Sequence, residues 1–209
     1  YANEMRAVER RANHFRLEAK NAQLRALHYQ VNPHFLFNTL NSLSALVMTG
    51  KADAAEEMIQ TLSTFYRRSL AEEPTADHTL AEEVELQGLY LDIEKERFPD
   101  RLITRFSIPD ALKGCLVPGM ILQPLVENAV CHGVEPSPVG ADIKISTRCK
   151  GTVVVIKVTN SVPAGQGARG HGLALNNVQE RLALLHDVQG QFKSGLIDGV
   201  YQVRMEVPL

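Results

Sequence analysis

Residues 30–42 read QVNPHFLFNTLNS and place a single histidine, His34, between a proline and two phenylalanines. In a helix, with about 100° between successive residues, the apolar residues of this segment and its continuation fall on one narrow arc nearly opposite His34. These residues are Leu36, Leu40, Leu43 and Val47. Asn38 and Asn41 fall on the same side as the histidine. The pattern predicts an amphipathic helix on which His34 faces solvent.

Upstream of this helix, apolar residues recur at alternating spacings of three and four. They are Met5, Val8, Ala12, Phe15, Ala19, Ala22, Ala26 and Tyr29. This heptad spacing is typical of a parallel dimeric coiled coil, and we assign residues 1–30 to a coiled-coil signalling helix. The many alanines also fit a single amphipathic helix that lies on its own domain, so both interpretations stay open.

Downstream, Gly50 ends the first helix, and the segment DAAE at 53–56 predicts the start of a second one. The apolar face of that helix comprises Ala55, Met58, Ile59, Leu62, Phe65, Tyr66 and Ser69. Residues 31–70 are therefore predicted to form a helical hairpin. Two hairpins from two chains would form a four-helix bundle, so we expect a homodimer held through residues 1–70.

The polar segment 71–79 contains a proline and is predicted to be an interdomain linker on which the rest of the chain hangs freely. Residues 80–209 mix predicted helices with mostly antiparallel strands, which indicates an α+β sandwich. One helix is expected from about residue 118 to residue 132. Pro124 lies inside it, where a proline costs up to ~3 kcal/mol.

Within that helix, LQPLVENAVCHG at 122–133 places Asn128 and His132 one turn apart, with Glu127 about 100° away. The oxygen of an Asn side chain is a suitable ligand for Mg²⁺, which proteins hold with few side chains plus phosphate oxygens. A purely structural interpretation is also open: Asn128 satisfies a neighbouring backbone group and His132 lies at the negative end of the helix.

A Gly-rich loop, SVPAGQGARGHG at 161–172, leads directly into a helix predicted over roughly residues 173–186. Free backbone N–H groups at such a helix start can face a phosphate chain. The other interpretation is a plain flexible loop. The chain has no GxxxxGK[ST] motif and no GxGxxG after an early strand, which argues against a P-loop or Rossmann site.

Composition sets further limits. The 22 Lys and Arg nearly balance the 24 Asp and Glu, so we predict no nucleic-acid partner and no membrane contact within this segment. Cys115, Cys131 and Cys149 have no metal-binding spacing and predict free thiols in a reducing, cytoplasmic compartment. Because the chain begins with Tyr1, we expect a fragment of a longer protein, with room for an upstream sensor or membrane domain.

Four segments together resemble the sensor histidine kinases of the LytS/YehU type. They are QVNPHFLFNTLNSL, YLDIEKERFPDRL, LVENAVCHG and GHGLALNNVQERL. The resemblance covers roughly residues 25–209. It implies that residues 80–209 form an ATP-binding domain of the GHKL (Bergerat) superfamily and that the hairpin is a dimerisation and phosphoacceptor unit.

The resemblance also implies roles for individual residues. His34 is the expected phosphoacceptor, and Asn128 the expected Mg²⁺ ligand. Glu127 and His132 are expected near the phosphates of ATP, with loop 161–171 as a lid. The remaining nucleotide-binding residues implied are Asn160, Gly170, His171, Gly172 and Leu173.

Three departures from the family pattern concern the chemistry. Phe35 follows the histidine where many histidine kinases have an acidic residue. Asn38 can orient the imidazole but cannot take its proton, so Glu127 becomes the candidate base. Asn160 stands where the superfamily usually reads adenine with an Asp, and it accepts a hydrogen bond without the charge. Ala174 replaces a common glycine.

The sequence thus predicts a core that phosphorylates His34 from ATP and passes the phosphoryl group to an aspartate of a response regulator receiver domain. A chaperone or DNA-repair type of ATPase is disfavoured by the histidine hairpin. A dimeric scaffold with the same fold and little catalysis is the remaining alternative, because of Asn160.

Overall fold

The computed structural model describes residues 32–71, 76–162 and 192–209, together with positions 175, 178 and 179. The coiled coil predicted for residues 1–30 lies outside the described residues. So do the predicted lid residues 163–171 and the nucleotide-binding positions Gly170, His171, Gly172 and Leu173. These predictions stay predictions.

The first two helices form the predicted hairpin. Helix α1 spans Pro33–Met48 and helix α2 spans Ala52–Ala71. Asn32 is the N-cap of α1, and its side-chain oxygen accepts hydrogen bonds from the backbone N–H groups of His34 and Phe35 at 3.1 and 3.2 Å. Pro33 suits the first helical position because its missing N–H would have no helical partner there.

The buried face of α1 differs from the predicted leucine seam. Phe35 is 4% exposed and Thr39 is buried, whereas Leu40 is 49% and Val47 is 65% exposed. The hydroxyl of Thr39 donates to the carbonyl of Phe35, which allows a polar side chain on a buried helix face. The leucine seam is thus left largely on the outside of a single chain.

The hairpin does not hang free of the rest of the chain, so that prediction is wrong. Its buried face packs on helix α3, Leu80–Arg97, with the Phe35 and Tyr90 ring centroids 4.9 Å apart. Phe65 of α2 lies 6.0 Å from Tyr90 by the same measure. These residues belong to one hydrophobic cluster that continues into the sheet domain. The free energy gained by burying these aromatic side chains exceeds the conformational entropy that a free linker would keep.

Part of the predicted linker is also ordered. Residues Asp77–Thr79 form strand β1, which pairs antiparallel with a short strand farther along the chain. Thr79 then caps α3 in a capping box, because its hydroxyl accepts from the N–H of Glu82 while the Glu82 carboxylate accepts from the N–H of Thr79. The linker prediction missed this helix start.

A five-stranded mixed sheet forms the second half of the chain. Its strands are β2 (Leu102–Ser107), β4 (Ala141–Lys150), β5 (Val153–Ser161), β6 (Lys193–Ile197) and β7 (Val200–Pro208). The short strand β3 (Leu116–Pro118) pairs with β1 instead. The strand order is β2-β4-β5-β7-β6. β2 and β4 are parallel and the other pairs are antiparallel. The α+β class is confirmed, with one parallel pair in the sheet.

Local turn chemistry explains the hairpins of the sheet. Gly151, with a φ of 64°, joins β4 to β5. Asp198 and Gly199 join β6 to β7, both with positive φ, which matches the right-handed twist of the paired strands. Along β4 and β7 buried and accessible residues alternate, so one face of the sheet faces the core.

The helix predicted from residue 118 to residue 132 is shorter and ends differently. Helix α4 spans Gln123–Ala129, and a π-helical turn follows at Val130–Val134. Pro124 lies in the first turn of α4. The expected cost of this proline does not apply there, since the N–H groups of a first turn have no helical acceptor. In the described parts of the chain, no helix has the length and apolarity that crossing a bilayer requires.

The docking of the hairpin generates a stability prediction. We expect Phe35→Ala to lower the free energy of unfolding by about 3–5 kcal/mol, because it removes a buried aromatic ring from the contact with Tyr90. Urea denaturation measures this change. Phe106→Ala, which removes an exposed ring from β2, is the matched control and should cost less than about 1 kcal/mol. Equal losses for the two variants would contradict the docking contact.

Candidate functional site

His34 lies in the first turn of α1 with its side chain exposed, as the sequence predicts. The side-chain nitrogen of Asn38, one turn later, lies 3.2 Å from each ring nitrogen of His34. The amide can donate to whichever ring nitrogen carries no proton. Asn38 is thus placed to orient a neutral imidazole.

Glu127 lies on α4 at the junction between the hairpin and the sheet domain. One carboxylate oxygen accepts a hydrogen bond from Nε2 of Gln123 at 2.9 Å. The other accepts from Nδ2 of Asn32 at 3.1 Å. Burial raises the pKa of Glu127, while these two hydrogen bonds act in the opposite direction. Glu127 therefore meets the hairpin two residues before His34.

Asn128 is 5% exposed, and its Nδ2 atom has no hydrogen-bond partner among the described residues. An unpaired buried amide costs free energy, and such a group in a folded protein points to an unseen partner. Across the described residues, no three His, Cys, Asp or Glu side chains gather into a metal site. A single Asn beside phosphate oxygens is nevertheless a donor set that suits Mg²⁺.

His132 lies within the π turn and is partly exposed. Asn160, near the end of β5, is 2% exposed, and its Nδ2 donates to the carbonyl of Ser161 at 3.1 Å. Gly133 of the π turn backs onto Asn160: a Cβ at position 133 would lie 2.7 Å from that Nδ2 atom. The turn after α4 and the end of β5 thus meet at Asn160.

The structure brings the predicted residues together in two places. Asn128, His132 and Asn160 lie on α4, its π turn and the adjoining strand, whereas His34 and Asn38 lie on the hairpin. The sequence reasoning missed Asn32, Gln123 and Gly133. The Asn-Pro pair at the start of α1 is an N-cap signature that could have identified Asn32. Gln123 and Gly133 act through contacts that no local pattern shows.

Residues 22–102 match the family model described as histidine kinase. The chain belongs to the histidine kinase family. It is 38% identical over 162 residues to the sensor histidine kinase BtsS of Escherichia coli K12, covering 77% of this chain and 28% of that protein. It is 34% identical over 170 residues to the sensor histidine kinase YesM of Bacillus subtilis, covering 79% of this chain and 29% of that protein.

The sensor protein LytS of Enterococcus faecalis is 29% identical over 207 residues, a match that covers 91% of this chain and 34% of that protein. The chain thus spans about a third or less of the length of these relatives. Among solved structures, it is similar to the catalytic domain of histidine kinase ThkA, with 18% identity and a TM-score of 0.47, over 64% of this chain and 94% of that one.

The contact between Gly133 and Asn160 generates a prediction about the site. We expect Gly133→Ala to lower the free energy of unfolding by about 1–3 kcal/mol, because the new methyl group must displace Asn160. Thermal or urea denaturation measures this change. Gly88→Ala is the matched control: it lies on α3 with nothing within 4 Å of the new Cβ, and it should stabilise the helix by up to ~1 kcal/mol. A Gly133→Ala protein as stable as the parent would show that the close contact is absent.

Proposed function

We propose that this chain is the core of a sensor histidine kinase, a transferase that phosphorylates His34 from ATP and then phosphorylates an aspartate of a response regulator. The observation that carries the proposal is an exposed imidazole on a helix whose N-cap residue is hydrogen-bonded to Glu127 of the other half of the chain. The family model described as histidine kinase matches residues 22–102, which include this helix.

The chemistry at His34 needs a neutral, accessible imidazole. A neutral ring has a nitrogen lone pair that can attack the γ-phosphorus of ATP while the bond to the leaving ADP oxygen breaks. Asn38 orients the ring through its amide N–H. The proton on the other ring nitrogen must be removed at some point in the cycle, and we assign that role to Glu127.

The nucleotide side of the site is assigned to α4, the π turn and the end of β5, in a GHKL (Bergerat) type of ATP-binding domain. The Nδ2 atom of Asn128 is buried and has no hydrogen-bond partner among the described residues, so it can donate to a phosphate oxygen. We assign the side-chain oxygen of Asn128 to Mg²⁺, which would neutralise charge on the phosphates when bound. We assign His132 to the phosphates and Asn160 to the adenine. Four further positions complete the assignment: Gly170, His171, Gly172 and Leu173.

We test the proposal by phosphate transfer from ³²P-labelled ATP. The expected result is acid-labile, alkali-stable label on the wild-type chain and none on His34→Gln, because the amide cannot form the phosphoramidate. Nucleotide affinity and molecular mass should not change, since His34 is an exposed side chain. Label retained on His34→Gln would move the acceptor to another residue.

Asn128→Ala separates the kinase from the scaffold alternative. If Asn128 holds the metal, this variant should lose most of the label without a loss of folded structure, as judged by circular dichroism. A wild-type chain that binds ATP but never becomes labelled would favour the scaffold. Full labelling of Asn128→Ala would return this residue to a structural role.

We also propose a homodimer formed through the hairpin. Large apolar side chains remain exposed on α1 and α2, namely Phe37, Leu40, Val47, Met48 and Ile59. Burying a large apolar side chain contributes on the order of 1.5–3 kcal/mol, which several together supply in excess of the cost of association. A four-helix bundle of two hairpins is one arrangement that would bury them.

The dimer is tested by substitutions on that exposed seam. We expect the double variant Leu40→Glu and Val47→Glu to be a monomer by light scattering, because two charges per chain would be placed in the apolar interface. Both side chains are exposed in the single chain, so its own fold should survive. Leu116→Glu, at an exposed position on β3, is the control and should leave the mass unchanged. A dimeric double variant would place the interface elsewhere.

Partners and location follow from this proposal. The second substrate is the receiver domain of a response regulator, and we propose no nucleic-acid partner. ATP use and three free cysteines fit the cytoplasm. An upstream sensor or membrane domain is compatible with relatives about three times as long.

A further inference from the structure

Asn32 connects the two halves of the proposed kinase through both ends of one amide group. Its oxygen accepts from the N–H groups of His34 and Phe35, which fixes the start of α1. Its nitrogen donates to Oε2 of Glu127 on α4. Asn32 and Glu127 are 95 positions apart in sequence, so this hydrogen bond joins two separate parts of the fold.

In this arrangement Glu127 is engaged away from His34. Its two oxygens accept from Asn32 and Gln123, while the ring of His34 is hydrogen-bonded to Asn38. A carboxylate takes a proton from the group to which it is hydrogen-bonded. Glu127 has acceptor sites to spare, but among the described residues its hydrogen bonds go to Asn32 and Gln123 and not to the ring of His34. The bond to Asn32 holds Glu127 at the N-cap of α1, so Glu127 must leave that position to serve His34.

The same junction has buried polar atoms left without partners. Among the described residues, the hydroxyl of Tyr66 on α2 and the side-chain oxygen of Gln123 are buried and have no hydrogen-bond partner. Burial raises the pKa of the Tyr66 hydroxyl, and the negative charge of the nearby Glu127 raises it further. Unpaired buried groups on the hairpin and on α4 indicate that another conformation can satisfy their hydrogen bonds better.

We propose that Asn32 is a positioning residue that holds Glu127 away from His34 and keeps the hairpin docked in a resting state. The proposal rests on the proposed kinase function, with Glu127 as the base. Asn32 and His34 then compete for one carboxylate. Release of the Asn32 contact is the step that makes Glu127 available.

Two substitutions at position 32 separate this role from helix capping. Ser and Asp are both good N-cap residues, so Asn32→Ser and Asn32→Asp keep the start of α1. Ser is too short to donate to Glu127 from the same place, and Asp puts a second carboxylate beside it. We expect autophosphorylation to be about tenfold faster in Asn32→Ser, and at least as fast in Asn32→Asp because like charges repel.

Gln60→Ser is the matched control. Gln60 donates to Glu56 at 3.2 Å within the exposed face of α2, so this variant also loses an amide–carboxylate hydrogen bond, but one that does not reach α4. Its rate should equal that of the wild type. An unchanged or slower rate in both Asn32 variants would overturn the proposal, as would equal activation by Gln60→Ser.

Hydrogen exchange supplies a readout that does not depend on activity. Amides of residues 33–48 should exchange about tenfold faster in Asn32→Ser and Asn32→Asp than in the wild type, because the docked state is less populated. Unchanged hydrogen exchange in both variants would overturn the proposal that Asn32 keeps the hairpin docked, even if the autophosphorylation rates rise. If no chain becomes labelled with phosphate, the kinase proposal fails, and exchange still decides whether Asn32 holds the hairpin.

Discussion

The contact of Phe35 and Phe65 with Tyr90 determines how this chain is organised. Tyr90 lies on α3, and the same helix buries Leu91 and Ile93. An isolated amphipathic helix would keep one polar face in water. Helix α3 instead packs against the hairpin and also contacts the β1–β2 region of the sheet domain. It is therefore a shared core element of both halves, and its packing sets their relative position in the docked arrangement.

A helix shared in this way must satisfy the polar groups it buries. Glu83 accepts hydrogen bonds from the backbone N–H groups of Met120 and Leu122. Glu94 is held by Arg97 on the next turn, yet burial raises its pKa to about 7 because desolvation outweighs the attraction of the guanidinium. These carboxylates tie α3 to the chain before α4 and to its own last turn.

Local signals in the sequence were sufficient for most of the elements. The opposed apolar and polar arcs of residues 34–47, together with Gly50 and the segment DAAE, predicted a hairpin with His34 exposed. The mix of predicted helices and antiparallel strands predicted the α+β class. The same signals could not show that the hairpin docks, because Phe35 meets Tyr90 across 55 residues of sequence. They also placed Pro124 in a helix interior, since the true start at Gln123 carries no capping side chain. Contacts between residues that are distant in sequence decide both the docking of the hairpin and the start of α4.

The candidate site also contains residues that the sequence identifies and contacts that only the folded structure shows. Asn128 and Asn160 could be singled out by residue type and family pattern, whereas the ties around them depend on tertiary geometry. Arg101 donates to the carbonyls of Val134 and Ser137 at the end of the π turn.

Arg97, at the end of α3, donates to Glu135 at 3.0 Å. The end of α3 is thus bonded to the segment that follows the π turn. Gly133, one residue before that end, backs onto Asn160. The helix that receives the hairpin at Tyr90 therefore also fixes the wall of the proposed nucleotide site, so the two halves share one set of structural supports.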